Sequence, residues 1–127
     1  MLKLAVLFGG LSNEHSISCL SASSILKNAD QSKYDLVPVG ITRDGRWFLY
    51  ENADPDKVKD GSWEREPGLR RVALSPDRET HGFLPLAGGS PIRMGVCFRE
   101  LHSWGGEVGT IEGLLSLAGM PFVGPGG

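Results

Sequence analysis

The sequence predicts an α/β domain in which helices flank a mostly parallel sheet with an antiparallel hairpin insertion. Apolar runs alternate with segments of helical spacing, and short strand-like runs in the middle are separated by hairpin turns. The chain has 127 residues, of which 40% are hydrophobic and 22% are charged. This composition predicts a single folded domain over residues 1–127.

The chain opens with a predicted strand that is followed by a helix. Leu2–Phe8 is an apolar run with one charge, typical of a strand buried on both faces, and Gly9 and Gly10 end it. Ser12 or Asn13 can cap the helix, which continues to about Ala29.

A second strand and a hairpin follow. Leu36–Ile41 is apolar, but Pro38 inside it predicts an irregular or unpaired stretch. Asp44-Gly45 is a dipeptide that tight hairpin turns favour, and the hairpin arm is predicted to end near Tyr50.

The polar stretch over residues 51–71 predicts mainly loop. A short helical turn is expected near Asp54–Lys59. Val72–Leu74 and Gly82–Leu86 predict a second hairpin, because Ser75-Pro76-Asp77 between them favours a turn.

The last segment predicts a second strand-turn-helix unit. Met94–Leu101 is the expected strand and His102–Gly109 the turn. Thr110 is predicted to start a helix that Gly119 closes, and a further strand begins at Phe122–Gly124.

Charge and cysteine content exclude several classes of function. Thirteen Lys and Arg against fifteen Asp and Glu give a formal charge of −2, which predicts no nucleic-acid partner and no anionic-membrane partner. The longest early apolar stretch, Leu4–Phe8, is far shorter than the roughly 20 residues of a membrane span and lacks a signal-peptide flank, so we expect a cytoplasmic protein. Cys19 and Cys97 stand far apart, which predicts two buried thiols, no disulfide framework and no metal site.

Two predicted turns are candidate ligand sites, because open α/β sheets bind ligands beyond the carboxyl ends of their strands. They span residues 9–15 and 102–110, and if they are neighbours Glu14 and His102 face one crevice. Neither turn has the glycine spacing of a dinucleotide fingerprint or the Gly-Lys-Ser/Thr ending of a P-loop.

The side chains of these turns allow two interpretations each. Glu14 near a helix start can accept hydrogen bonds from an ammonium group, or only stabilise the helix end. His102 can be an acid or an oxyanion donor, or only a satisfied polar residue near the surface. The glycines of these turns can let the backbone come close to a ligand, or only form a tight connection. They are Gly9, Gly10, Gly105, Gly106 and Gly109.

Several blocks of this sequence match one known family in order along the chain. They are Leu4–Ser18, Tyr34–Thr42, Asp44–Trp47, Gly109–Leu115 and Gly119–Gly124. The first strongly resembles the amino-terminal signature of the D-alanine–D-alanine ligases, and the others resemble later parts of the same domain.

The resemblance implies the Rossmann-like (pre-ATP-grasp) first domain of an ATP-grasp ligase. Two later domains would hold ATP and Mg²⁺, and the full-length enzyme would be a homodimer. ATP would phosphorylate one D-alanine, and the amine of a second would attack the acyl phosphate, giving the peptidoglycan dipeptide. By this resemblance Glu14 holds the amino group of the first D-alanine, His102 lies beside the reacting carboxylate and phosphate, and Ser18 contacts substrate.

The resemblance also implies that this chain stops before the ligands of ATP and Mg²⁺, so we expect it to be inactive alone. Ser103 and Val108 replace the family's usual Gly and Asp, and Arg99 and Glu100 stand where its strand is normally apolar or carries proline. Either that strand end is solvated or the copy is divergent. The alternative function is therefore a non-catalytic binding or assembly module of the same fold.

Overall fold

A computed structural model describes residues 2–10, 15–29, 32–100 and 106–123. The described strands form one sheet in the order β6-β5-β4-β3-β2-β1-β7-β8. No described helix is long and apolar enough to cross a membrane. In chain order the elements are β1 (Leu2–Gly9), α1 (His15–Asn28), β2 (Tyr34–Ile41), β3 (Trp47–Leu49), α2 (Pro55–Asp60), a short 3₁₀ helix (Ser62–Arg65), β4 (Arg70–Leu74), β5 (Gly82–Pro85), β6 (Ile92–Arg93), β7 (Val96–Glu100), α3 (Gly106–Leu117) and β8 (Phe122–Val123).

The α/β class is confirmed, but the prediction of a mostly parallel sheet is wrong. Among the described strand pairs, β1 with β2, β1 with β7 and β7 with β8 are parallel. The four pairs from β2 through β6 are antiparallel. Parallel neighbours need a long crossover, and the connections between β2 and β6 hold no helix longer than the six residues of α2. The predicted hairpin insertion is therefore an antiparallel half of the sheet.

Strand β1 is covered on both faces. Its residues Leu4–Phe8 are all buried, as the continuous apolar run predicted. One face packs against α1 in a cluster that contains Val6, Phe8, Cys19, Ala22 and Leu26. The other face packs against α3 in a cluster that contains Ala5, Leu7, Cys97, Leu115 and Ala118.

Strand β2 runs without interruption through Pro38, contrary to the predicted irregularity. Pro38 stays in register with Val6 of β1, and its carbonyl accepts from the Tyr50 amide at 2.9 Å on the other edge. The N–H and C=O of a strand residue point to the same side. The N–H that Pro38 lacks would therefore point towards Tyr50, just past the end of β3, so its absence does not interrupt the pairing of β2 with β3.

Both predicted hairpins are confirmed. In the β2–β3 turn the Gly45 amide donates to the Thr42 carbonyl at 3.0 Å, and Gly45 adopts a φ of 83°. The Thr42 hydroxyl, and then the Arg46 guanidinium, lower the pKa of the Asp44 carboxyl. These contacts make the turn at the carboxyl end of β2 well ordered.

The predicted helical turn in the polar middle segment is α2. Asp54 caps it by accepting from the Asp56 amide at 2.9 Å, and Gly61 ends it with a φ of 86°. The 3₁₀ helix that follows inserts Trp63, which is fully buried, against the edge of Phe8 at a centroid distance of 5.0 Å.

The last unit differs from its predicted boundaries at three points. Helix α3 begins at Gly106 and not at Thr110, so it includes the four residues before Thr110 that were predicted to lie in the turn. Strand β7 begins at Val96, and β6 was not predicted because a two-residue strand carries no pattern.

The predicted end of α3 is confirmed. Gly119 has a φ of 71°. Its amide donates to the Ser116 carbonyl at 3.1 Å, and the Met120 amide donates to the Leu115 carbonyl at 2.9 Å. This pair of bonds is a Schellman motif, which requires the left-handed conformation that glycine adopts without strain.

Gly40 is a position where an added methyl group should lower stability, because two aromatic rings pack against it. A Cβ there would overlap the indole ring of Trp63 and lie 2.9 Å from the Phe8 ring. We expect Gly40→Ala to lower the free energy of unfolding by about 1–3 kcal/mol, measured by urea denaturation. Gly68→Ala is the control, because its Cβ would meet nothing within 4 Å and should change stability by less than about 0.5 kcal/mol. Equal effects of the two variants would contradict the packing described for Trp63.

The two cysteines are buried, as predicted. They belong to clusters on opposite faces of the sheet, which the sequence did not indicate. Burial raises the pKa of Cys19 to about 11 and that of Cys97 to about 12. The nearby Trp63 indole N–H opposes this rise in the pKa of Cys19. Among the described residues, no acceptor lies within hydrogen-bond distance of that N–H.

These pKa shifts predict resistance to thiol reagents. At pH 8 a disulfide reagent should label neither thiol until the chain unfolds. In the unfolded chain the thiols ionise near their ordinary value of 9.0, so the stability contributed by the neutral buried thiols is complete below that pH. It is lost as the pH rises towards 11 and 12. Fast labelling of the folded chain at pH 8 would contradict the burial of that thiol.

Candidate functional site

The carboxyl ends of β1 and β7 lie side by side. The two strands are parallel, with Leu4 opposite Val96 and Phe8 opposite Glu100. From β1 the chain passes through α1 to β2 on one side, and from β7 it passes through α3 to β8 on the other side. The connections therefore diverge at this point of the sheet, which is where open α/β sheets form a ligand crevice.

The two helices approach this crevice from opposite faces. Each begins six positions after the preceding strand ends, α1 at His15 after Gly9 and α3 at Gly106 after Glu100. Helix amino ends carry unpaired amides and a partial positive charge, so this edge of the sheet favours negative groups of a ligand.

The end of β1 is fixed by hydrogen bonds from two backbone amides. Gly9 and Gly10 have φ values of 89° and 101°. The Gly9 amide donates to the Oγ of Ser18 at 2.9 Å, and the Gly10 amide donates to the Ile41 carbonyl at 2.8 Å. Ser18 is fully buried, so its hydroxyl ties the first part of α1 to the end of β1. A contact between Ser18 and substrate stays a prediction.

The main predicted site residues fall outside the described residues. These are Glu14, His102 and Gly105, as well as the predicted caps Ser12 and Asn13 and the departure Ser103. What the structure brings together is the pair of strand ends from which Glu14 and His102 follow. That Glu14 and His102 face one crevice stays a prediction.

Two of the predicted turn glycines lie in a helix. Gly106 is the first residue of α3 and Gly109 lies within its first turn, so the prediction of an open turn up to Gly109 is wrong. Val108 belongs to the same helical turn. Arg99 and Glu100 are the last two residues of β7, opposite Leu7 and Phe8.

One element at this edge was not assigned to the site from the sequence. The β2–β3 turn lies beside the end of β1, because Ile41 pairs with Gly9 just before Thr42. Thr42 is buried, and its Oγ accepts from the Arg46 amide at 3.0 Å. The signal was present, since this hairpin follows directly on the carboxyl end of the strand next to β1.

A cavity lies at the opposite edge. It has a volume of about 650 Å³ and is lined at the amino ends of β1 and β2 by Lys3, Tyr34 and Asp35. An exposed ion pair between Arg70 and Glu51, 3.0 Å apart, also borders it. This cavity is therefore separate from the candidate crevice, which lies at the carboxyl ends of the strands.

Comparison with known proteins identifies the domain. A family model described as the D-ala D-ala ligase N-terminus matches residues 3–125. The chain belongs to this family. The resemblance found in the sequence is thereby confirmed.

The relatives of this family member are much longer than the chain. It is 42% identical to a D-alanine–D-alanine ligase of Caldicellulosiruptor bescii, over 98% of this chain and 34% of the relative. It is 45% identical to one of Rhodococcus erythropolis, over 98% of this chain and 36% of the relative. The chain thus spans about a third of the length of these curated relatives.

Solved structures show the same fold. The VanG D-Ala:D-Ser ligase of Enterococcus faecalis superposes with a TM-score of 0.88 at 37% identity, covering 96% of this chain and 35% of that one. The D-alanine–D-alanine ligase of Coxiella burnetii gives a TM-score of 0.81 at 29% identity, over 97% of this chain and 35% of that one.

The Ser18 hydroxyl should contribute measurably to stability. We expect Ser18→Ala to lower the free energy of unfolding by about 1–3 kcal/mol, because the buried Gly9 amide loses its acceptor. Ser24→Ala is the matched control on α1, since its hydroxyl is exposed and accepts a long contact of 3.4 Å from Asn28. Both changes gain the same helix propensity, so the difference between them in thermal and urea denaturation reports the hydrogen bond. A Ser18 variant as stable as the Ser24 variant would contradict this anchor.

Proposed function

We propose that this chain is the substrate-binding amino-terminal domain of an ATP-dependent ligase that joins two D-alanine molecules for peptidoglycan. The observation that carries the proposal is the adjacency of the β1 and β7 ends, each followed by a helix, in a chain of this family. The names of the relatives, and their additional two thirds of sequence, support a larger enzyme of which this is one part.

Glu14 is proposed to hold the amino group of the first D-alanine. It directly precedes His15, the first residue of α1, and follows the anchored end of β1. A helix amino end keeps a carboxylate ionised, and an ionised carboxylate accepts short hydrogen bonds from an ammonium group. This contact orients the amino acid so that its carboxylate points along the crevice.

His102 is proposed to act at the other end of the same amino acid. It follows Glu100, the last residue of β7, by two positions and precedes α3 by four. An imidazole there donates a hydrogen bond to the carboxylate and phosphate oxygens, whose charge changes during the reaction. Gly9, Gly10, Gly105, Gly106 and Gly109 allow the backbone to come close to these atoms.

The remaining parts of the proposed reaction are assigned to segments beyond this chain. When bound, ATP would supply the phosphoryl group that makes the first carboxylate an acyl phosphate, and ADP would be left. The neutral amine of the second D-alanine would then attack the carbonyl carbon and lose a proton as inorganic phosphate leaves. In the described residues no group of three or more His, Cys, Asp or Glu could hold a metal ion. Because this chain covers only about a third of the length of its relatives, we assign ATP and Mg²⁺ to two later domains, and we infer a cytoplasmic homodimer that is inactive when reduced to residues 1–127.

The role of Glu14 can be tested in the full polypeptide that contains this domain. Glu14→Gln should raise the KM for the first D-alanine about 10- to 150-fold, because a charge-assisted contact to the ammonium group is lost. Dipeptide formation with ATP would be followed by phosphate release and chromatography. Glu79→Gln is the matched control on the exposed β4–β5 loop, and its KM should not change.

Two results would contradict the proposal at different levels. A full polypeptide that forms no dipeptide from D-alanine and ATP would overturn the function itself. An active enzyme in which Glu14→Gln leaves the KM unchanged would overturn only the role of Glu14. The chain of residues 1–127 alone should show no turnover, and turnover by it would contradict the assignment of ATP to later domains.

A further inference from the structure

The loop between β4 and β5 contacts the carboxyl end of α3. Arg78 in this loop donates from Nη1 to the carbonyl oxygens of Ser116 at 3.2 Å and Leu117 at 3.5 Å. Its guanidinium lies over Gly119, where a Cβ would be 3.2 Å from the Arg78 Cζ. The carbonyls at a helix carboxyl end lack partners within the helix and carry partial negative charge, so a cation there is favourable.

The loop that carries Arg78 is held by its own hydrogen bonds. The Glu79 amide donates to the Asp77 carboxylate at 2.9 Å, and the Thr80 amide donates to the Asp77 carbonyl at 3.0 Å. From β6, Arg93 donates to the Glu79 carbonyl at 2.8 Å. Arg78 therefore extends from a hydrogen-bonded loop that is attached to the antiparallel half of the sheet.

We propose that Arg78 is a positioning residue for the His102 half of the site. It holds the carboxyl end of α3, and α3 begins at Gly106, close after His102 in the chain. The helix is a rigid rod, so fixing one end fixes the direction of the other. This inference rests on the proposed function and assigns Arg78 no contact with substrate.

The geometry restricts the effect to one half of the site. Arg78 contacts α3, whereas Glu14 precedes α1, which packs on the opposite face of β1. Loss of the Arg78 contacts should therefore disturb the group that acts on the reacting carboxylate and phosphate. It should leave the group that binds the ammonium in place.

The test is steady-state kinetics of the full polypeptide. Arg78→Met keeps an unbranched side chain but removes the guanidinium and its donors, and we expect it to lower kcat about 3- to 10-fold. The KM for the first D-alanine should stay within about two-fold of the wild-type value. Arg78→Lys keeps a cation that can reach a helix carbonyl and should restore most of the loss in kcat.

Two controls separate positioning from general destabilisation. Arg65→Met removes an exposed arginine on the 3₁₀ helix, far along the chain from α3, and should leave kcat unchanged. Val58→Ala removes buried methyl groups on the α1 face, so it should lower Tm without changing kcat well below the transition. All variants are assayed at matched folded fraction, measured by circular dichroism.

Each outcome is decisive. The expected pattern is a loss of kcat in Arg78→Met, with KM preserved, rescue by lysine and normal kcat in both controls. An unchanged kcat in Arg78→Met, a loss of the same size in Val58→Ala, or a change confined to KM would overturn the inference while leaving the proposed function intact. An inactive wild-type polypeptide would overturn both.

Discussion

The requirement to cover β1 on both faces and pair it on both edges determines the rest of this fold. Its buried residues Ala5–Phe8 alternate between two clusters, so one helix must lie on each side of the sheet. Crossovers between parallel strands are right-handed, and two such crossovers can cover opposite faces only by moving in opposite directions along the sheet. The divergence of the chain at the β1 and β7 ends is thus a consequence of burying one apolar strand.

The antiparallel half supports the helices of the parallel half. On the α1 face, Trp63 fills the space above Gly40, and Lys27 of α1 pairs with Asp56 of α2 at 2.8 Å. That pairing lowers the pKa of the Asp56 carboxyl, although both groups are exposed and the pair contributes little stability. On the α3 face, Arg78 reaches the helix end. The segments that connect the antiparallel strands therefore contact the elements on both faces of β1.

Sequence reasoning succeeded where burial or backbone conformation dictates residue type. The apolar run of β1, the Asp44-Gly45 turn and the Gly119 helix end were all predicted correctly, since each follows from a local rule. It failed where contacts with a neighbouring strand determine the structure. Pro38 is tolerated within β2 because β3 ends beside it. The parallel fraction of the sheet was also overestimated, because strand direction depends on which segments pair. For the site, spacing alone left Glu14 and His102 ambiguous, and family resemblance supplied their roles.

The electrostatics of the crevice explain why the proposed site needs an acidic residue at all. The amino ends of α1 and α3 both face this edge, and their partial positive charges favour the carboxylate and phosphate of the reaction. The same field disfavours the ammonium group of an amino acid. In the proposed site, the carboxylate of Glu14, which directly precedes α1 in the sequence, would supply the local negative charge that a zwitterion requires. Together with the positive helix ends and the hydrogen-bond donor proposed at His102, the site would offer opposite charges to the two ends of a single small molecule.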